Sequence, residues 1–238
     1  MKVLQLICIE NETTDEQNRV MSTDVFPWVH DTVARRINIT GKPLADPRTA
    51  RTVRVRNGET LISDGPFADT KEFIGGFDLL ECESMEQAIE VASKHPVAWF
   101  NAIELRPIPE NNAIPHHIDH AVLRQMLMVC FDGIPAAPEV EAQVARDSEA
   151  WREQLERSGA RIAGAFLAPP SEARTVRVRG GQTIVTDGPF VETKEFLGGF
   201  DLLGCETFEE AVSLAARHPV ARFHQIEVRD FVDLGHRD

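Results

Sequence analysis

Asp64, Lys71 and Glu72 lie in one short stretch, and Asp187, Lys194 and Glu195 repeat them at the same spacing. A lysine beside two carboxylates can neutralise charge developing on a substrate while a carboxylate carries a proton. Such a trio suits an anionic or enolic small molecule, and these six residues are the candidate catalytic set. A plainer reading stands beside this one. Asp before Gly is ordinary turn chemistry, its side chain accepting from the turn's own N–H groups, and a loop Lys-Glu can pair or face water.

Arg54 and Arg177 occupy matching positions two residues from Arg56 and Arg179 on one strand face, where they could guide an acidic ligand or pair with carboxylates. His95 and His218 each precede Pro at a helix end. There an imidazole can cap the helix and, if charged, complement its dipole, or act as an acid or base. These four are the candidate substrate-binding residues. His116, His117 and His120 cluster without a third spaced ligand or an accompanying catalytic Glu, so no metal site is expected. No nucleophile elbow, P-loop or dinucleotide fingerprint occurs, and no cofactor is implied.

All these candidates come in pairs because the chain repeats itself. ARTVRVRNGETLISDGPFADTKEFIGGFDLLECES from Ala50 returns as ARTVRVRGGQTIVTDGPFVETKEFLGGFDLLGCET from Ala173, and HPVAWFNAIELR returns as HPVARFHQIEVR. Each copy is the size of a small domain, not of a solenoid repeat. The expected division is a first domain at 1–108, a linker at 109–121 and a second domain at 122–238. Net charge is −13, shared almost evenly by the two halves. Neither half is basic, so nucleic acid is disfavoured as a partner. No run approaches a membrane span, and MKVLQLICIE reads as a first strand, so a cytoplasmic protein is expected. Cys8, Cys82, Cys130 and Cys205 sit in apolar runs and read as buried thiols.

Within a copy the first strand (Val3 to Ile9, Met126 to Phe131) is apolar at odd and even positions alike, which calls for cover on both faces. A helix follows, with Thr13-x-x-Glu16 fitting a capping box and Pro27 a break or kink; in the second copy Pro138 opens and Gly159 closes it. Trp28 and Trp151 would anchor that helix. Asn57-Gly58 and Gly180-Gly181 supply two-residue hairpin turns. Gly75-Gly76 predicts a bulge or close backbone approach. Ser84-x-x-Gln87 and Thr207-x-x-Glu210 open another helix, and a last strand follows it. The order strand, helix, hairpin, strand, helix, strand is an α+β, ferredoxin-like layout with an added hairpin.

The TVRVR hairpin, DGPF, TKE and GGF together resemble the YCII-related family, in particular its DGPF branch, over nearly all of both copies. The resemblance implies a dimeric α/β barrel: two ferredoxin-like units with antiparallel sheets packed face to face, here an intrachain pseudo-dimer. A further homodimer is left open. It also implies a His–Asp pair thought catalytic in some YCII-like proteins. His30-Asp31 is the nearest match, but Glu153-Gln154 stand there in the second copy. Better-understood branches of the wider superfamily act on small molecules as isomerases, dehalogenases or cofactor-free oxygenases, and genes of this branch often neighbour those for extracytoplasmic-function sigma factors.

The expected function is small-molecule binding beside each DGPF loop, with cofactor-free proton transfer of isomerase or lyase type. These residues leave open whether binding leads to turnover. The alternative is a regulatory or interaction protein tied to a sigma-factor response.

Overall fold

The structure, a computed structural model, describes residues 1–10, 14–15, 17, 25–67, 72–133, 137–191 and 195–232. The Thr13-x-x-Glu16 capping box lies outside the described residues. Two antiparallel six-stranded sheets face each other. The first runs β10-β9-β6-β1-β5-β2 and the second β4-β3-β12-β7-β11-β8. Their strands are β1 (Lys2–Ile9), β2 (Asn38–Pro43), β3 (Arg51–Arg56), β4 (Glu59–Asp64), β5 (Phe73–Glu81), β6 (Ala102–Ile108), β7 (Gln125–Phe131), β8 (Arg161–Phe166), β9 (Arg174–Arg179), β10 (Gln182–Asp187), β11 (Phe196–Leu203) and β12 (Gln225–Asp230). Helices α1 (Val25–Ala34) and α2 (Met85–Lys94) belong to the first half, α3 (Pro138–Ser158) and α4 (Phe208–Arg217) to the second.

The core of each sheet, β6-β1-β5-β2 or β12-β7-β11-β8, is the ferredoxin-like order. It contains one strand per half that the sequence reading lacks, β2 and β8. Both are short edge strands interrupted by Gly and Pro or Gly, so their apolar pattern is weak. The hairpin sits inside the connection from β2 to β5, and it crosses over. β3 pairs with β12 of the second half, and β9 pairs with β6 of the first. Each half therefore donates two strands to the other half's sheet.

The first strands are apolar on both faces because both faces are covered. Leu4, Leu6 and Cys8 point into a layer between the sheets, shared with Met126, Met128 and Cys130. Val3, Ile7 and Ile9 point outward to Trp28, Ala88, Val91 and Ala92 on the first half's helices. Burying a side chain of this size contributes roughly 1.5–3 kcal/mol, so the shared layer makes the halves mutually dependent. The 109–121 stretch takes part, since Ile114 and Ile118 are buried in that layer. All four cysteines are free and buried, and burial raises every thiol pKa, that of Cys82 to about 11.

Local signals hold where they are strong. Asn57 and Gly58 have φ of 53° and 80°, and Gly180 and Gly181 58° and 77°, the left-handed pair a tight hairpin needs. Gly159 ends α3 at φ 76°. Pro27 falls in the first turn of α1, where a missing N–H costs little. Trp28 Nε1 donates to Val91 O at 2.9 Å, tying α1 to α2.

Candidate functional site

The last strand of each half alternates by twos, so Ile103 and Leu105 face the helices while Glu104 and Arg106 face the inter-sheet layer. Glu227 and Arg229 do the same in β12. Both pairs are buried. Arg106 Nη1 donates to Glu104 Oε1 at 3.2 Å, and Arg229 Nη1 to Glu227 Oε1 at 3.1 Å. The second oxygen of each carboxylate receives a DGPF loop from the opposite half. Phe190 N donates to Glu104 Oε2 at 2.8 Å and Phe67 N to Glu227 Oε2 at 3.1 Å.

The loop reaches there because Gly65 (φ 89°) and Gly188 (φ 95°) turn the chain off the hairpin. Gly65 N bonds Ala50 O, Gly188 N bonds Ala173 O, and Thr52 and Thr175 hydroxyls hold the two glycine carbonyls. Bulges at Gly75 and Gly198, seen as register shifts against β1 and β7, then aim the following strands. A pocket of about 110 Å³ opens between these parts, lined by both loops, both Glu–Arg pairs and by Glu72 and Glu195. The expected pocket beside each loop is thus one pocket on the seam, walled by both halves. Burial raises the Glu227 pKa, against the opposing pull of Arg229 and the Phe67 N–H. The arrangement can bind a small guest of largely apolar body, present it with carboxylates and guanidinium groups, and exchange a proton with it.

Of the expected catalytic residues, Glu72 and Glu195 reach this pocket. Lys71 and Lys194 lie outside the described residues. Asp64 and Asp187 stand elsewhere: their side chains are 86% and 87% exposed, paired across the hairpin with Arg51 at 3.2 Å and Arg174 at 3.1 Å. That removes the geometric ground for a proton-transfer role and leaves them a strand-pairing one. Arg54 and Arg177 are engaged with protein. Arg54 Nε donates to Gln225 Oε1 at 2.7 Å, and Arg177 Nε to Glu10 Oε1 at 2.8 Å, its guanidinium 5.6 Å above the Phe190 ring. With Arg56 and Arg179, which bond carbonyls of Ala221 and Ala98, they clamp each exchanged hairpin.

His95 and His218 are buried, each edge-on to a tryptophan, Trp28 and Trp151. Their Nδ1 atoms accept from Val97 N and Val220 N, capping the turn that follows. Burial lowers His95 to about 3, so it is neutral, and the expected charge–dipole role at the preceding helix end does not apply. His30 and Asp31 are exposed on α1, and Asp31 pairs with Arg35. His116 bonds Glu81 at 2.6 Å, and among the described residues no cluster able to hold a metal occurs.

The sequence reading passed over three constellations. Glu104-x-Arg106 and Glu227-x-Arg229 are as well duplicated as Lys-Glu, which was the available signal. The second is Asp78 and Asp201, buried on the helix side of their sheets. Asp78 accepts from Gln5 Nε2 at 2.8 Å and from Asn38, and burial raises it to about 7. Asp201 instead accepts from Arg161 Nε at 2.6 Å, with His218 Nε2 3.6 Å away. A Cβ on Gly41 or Gly164 would fall 2.2 or 2.3 Å from these carboxylates and 2.9 or 2.5 Å from the Phe77 or Phe200 carbonyl oxygen, so the facing strand leaves room for a glycine alone. The third is Asp132 with His224, whose Nδ1 is 3.1 Å from Asp132 Oδ1.

Two ferredoxin-like units, sheets face to face, with exchanged hairpins walling one pocket, define a tandem α+β barrel protein with a candidate site on its pseudo-twofold seam. A family model for the YCII-related domain matches residues 5–112 and again 126–234. The chain belongs to the YCII-related family. It is also similar to an uncharacterised protein of Rhizobium meliloti (strain 1021), 42% identical over 77 residues. That match covers 32% of this chain and 62% of the relative.

Proposed function

We propose that the protein binds one small molecule in the seam pocket, and that the Glu227 carboxyl exchanges a proton with it. The observation that carries this is the placement of two buried Glu–Arg pairs at the pocket wall, each closed over by the DGPF loop of the opposite half. A loop docked by a main-chain N–H onto a buried carboxylate is held in place before any ligand arrives, and preorganised groups act without reorganisation at the moment of reaction. The matching chemistry is isomerase- or lyase-like. Glu227 as carboxylate takes a proton from an activated carbon of the ligand and, as the acid, returns it to another position, with Arg229 and Arg106 beside the charge that develops. Burial fits Glu227 for this by raising its pKa above the usual carboxylate value.

A melting screen with small aromatic acids, quinols and lactones tests the binding. A ligand at one hundred times its Kd adds about 2.7 kcal/mol, several degrees of Tm in a chain of this size. A ligand found this way is then incubated in D2O. Wild type is expected to place deuterium at one carbon of it, and Glu227→Gln to bind without exchange. Equal exchange by wild type and Glu227→Gln overturns the proton-transfer role. Binding unaffected by filling the pocket with Cys8→Phe overturns the location.

A further inference from the structure

A second pocket, of about 400 Å³, lies between α3 and the second sheet. Phe131, Phe166, Phe196 and Phe223 line it, with Val144 of α3 and His224. Phe196 also lines the seam pocket, so its ring forms part of both walls. Phe131 can lie flat against β11 because residue 198 is glycine; a Cβ there would fall 2.0 Å from the ring. Phe131 in turn stacks on Phe196 at 5.7 Å and packs against His224 at 4.4 Å.

The lining belongs to the second half alone. Phe131, Phe166 and His224 stand where the first half has Ile9, Pro43 and Asn101. The hydrogen bonds differ accordingly. In the first half Asn101 is buried and accepts from Glu10 N, while the Glu10 carboxylate is held by Arg177 at 2.6 Å. In the second half Arg54, the counterpart of Arg177, bonds Gln225 instead. Asp132, the counterpart of Glu10, bonds His224. A carboxylate only accepts, so Nδ1 is the donor to Asp132, and the tautomer this selects leaves Nε2 as the ring's acceptor. The His224 side chain is 11% exposed, shielded yet within reach of a guest.

We propose that this pocket is a binding site for a small neutral aromatic molecule bearing a hydroxyl, a phenol in chemical class, whose ring enters among the phenylalanines and whose hydroxyl donates to His224 Nε2. Four aromatic rings favour an aromatic guest through offset and edge-on contacts, and the volume lies in the range of small-ligand sites. Charge selects the neutral form. Glu141 lines the site, Asp132 stands behind His224, and Arg152, 6.0 Å over the Phe166 ring, is paired with Glu149.

The test uses 4-fluorophenol as probe, followed by fluorine NMR on the full chain, with fluorobenzene and 4-fluorobenzoate for comparison. One saturable site per chain is expected for 4-fluorophenol, with weaker binding of the other two. His224→Asn, which installs the first half's residue, is expected to weaken 4-fluorophenol tenfold or more and leave fluorobenzene unchanged. Val144→Trp, which fills the pocket, is expected to abolish both, whereas Cys8→Phe in the seam pocket leaves both intact. Absence of saturable binding at millimolar probe overturns the proposal. So does an affinity indifferent to His224→Asn, or binding that survives Val144→Trp and is lost with Cys8→Phe.

Discussion

Arg161 Nε donates to Asp201 Oδ1 at 2.6 Å beneath the helices of the second half, where the first half sets Asn38 beside Asp78. The exchange is compensated across the sheet, because Gln5, which bonds Asp78, is matched by Leu127. One buried carboxylate is thus solvated by two amides and the other by a guanidinium. Removing one partner of a buried ion pair costs about 3–5 kcal/mol, because a charge is left without compensation. Arg161→Ala is expected to lose stability on that scale in denaturant unfolding. The double change Arg161→Asn with Leu127→Gln, which copies the first half, is expected to recover much of the loss. A double variant no better than Arg161→Ala would show that the two environments are not interchangeable.

Asp78 gives a pH dependence of definite sign. Its pKa is about 7 in the folded chain against 3.8 for an unperturbed aspartate. The native state therefore holds a proton that the unfolded chain releases, and stability falls as pH rises from near 4 to near 7, then levels. Asp78→Asn keeps the shape and cannot ionise. Its stability relative to wild type is expected to rise across that window, by an amount on the order of a few kcal/mol, and its relative Tm with it. A difference in Tm that stays flat from pH 4 to pH 8 would contradict the raised pKa.

Asp64 and Asp187 provide a contrast. Each is solvent-exposed and, among the described residues, paired with an arginine across its own hairpin, and such surface pairs contribute little. Asp64→Asn with Asp187→Asn is expected to leave Tm and ligand binding essentially as they were. Loss of ligand binding in this variant, with the fold intact by circular dichroism, would restore a functional role to the DGPF aspartates.

Much of the fold was legible because it rests on local rules. The glycine-bearing hairpin turns, the Gly159 cap and the two-sided first strands each follow from a few neighbouring residues. β2 and β8 were not legible. Gly41 and Gly164 are there to clear Asp78 and Asp201, residues distant in sequence, and they weaken the strand signal locally. The hairpin exchange was hidden for a related reason, since the alternation of Arg51–Arg56 fits any neighbouring strand. Glu104-x-Arg106 reads as the wet face of a strand until a second sheet covers it. The site was therefore legible in its loops and not in its floor.

The exchange of β3 and β9 makes a prediction about the halves as separate chains. Each sheet needs the other half's hairpin, and each half exposes its side of the inter-sheet layer when alone. Fragments 1–112 and 113–238 made in one cell are expected to purify as a one-to-one complex by size-exclusion chromatography. A single fragment that unfolds cooperatively as a monomer would contradict this dependence.

Joining the two units in one polypeptide fixes their ratio and their proximity. It also releases them from sameness. In an assembly of two identical chains every substitution appears twice, so a change that suits one side must be tolerated on the other. Here Gln5 and Asn38 on one side are matched by Leu127 and Arg161 on the other, and Asn101 on one side coexists with His224 on the other. The covalent link makes one unit free to keep the old arrangement while its twin tries another.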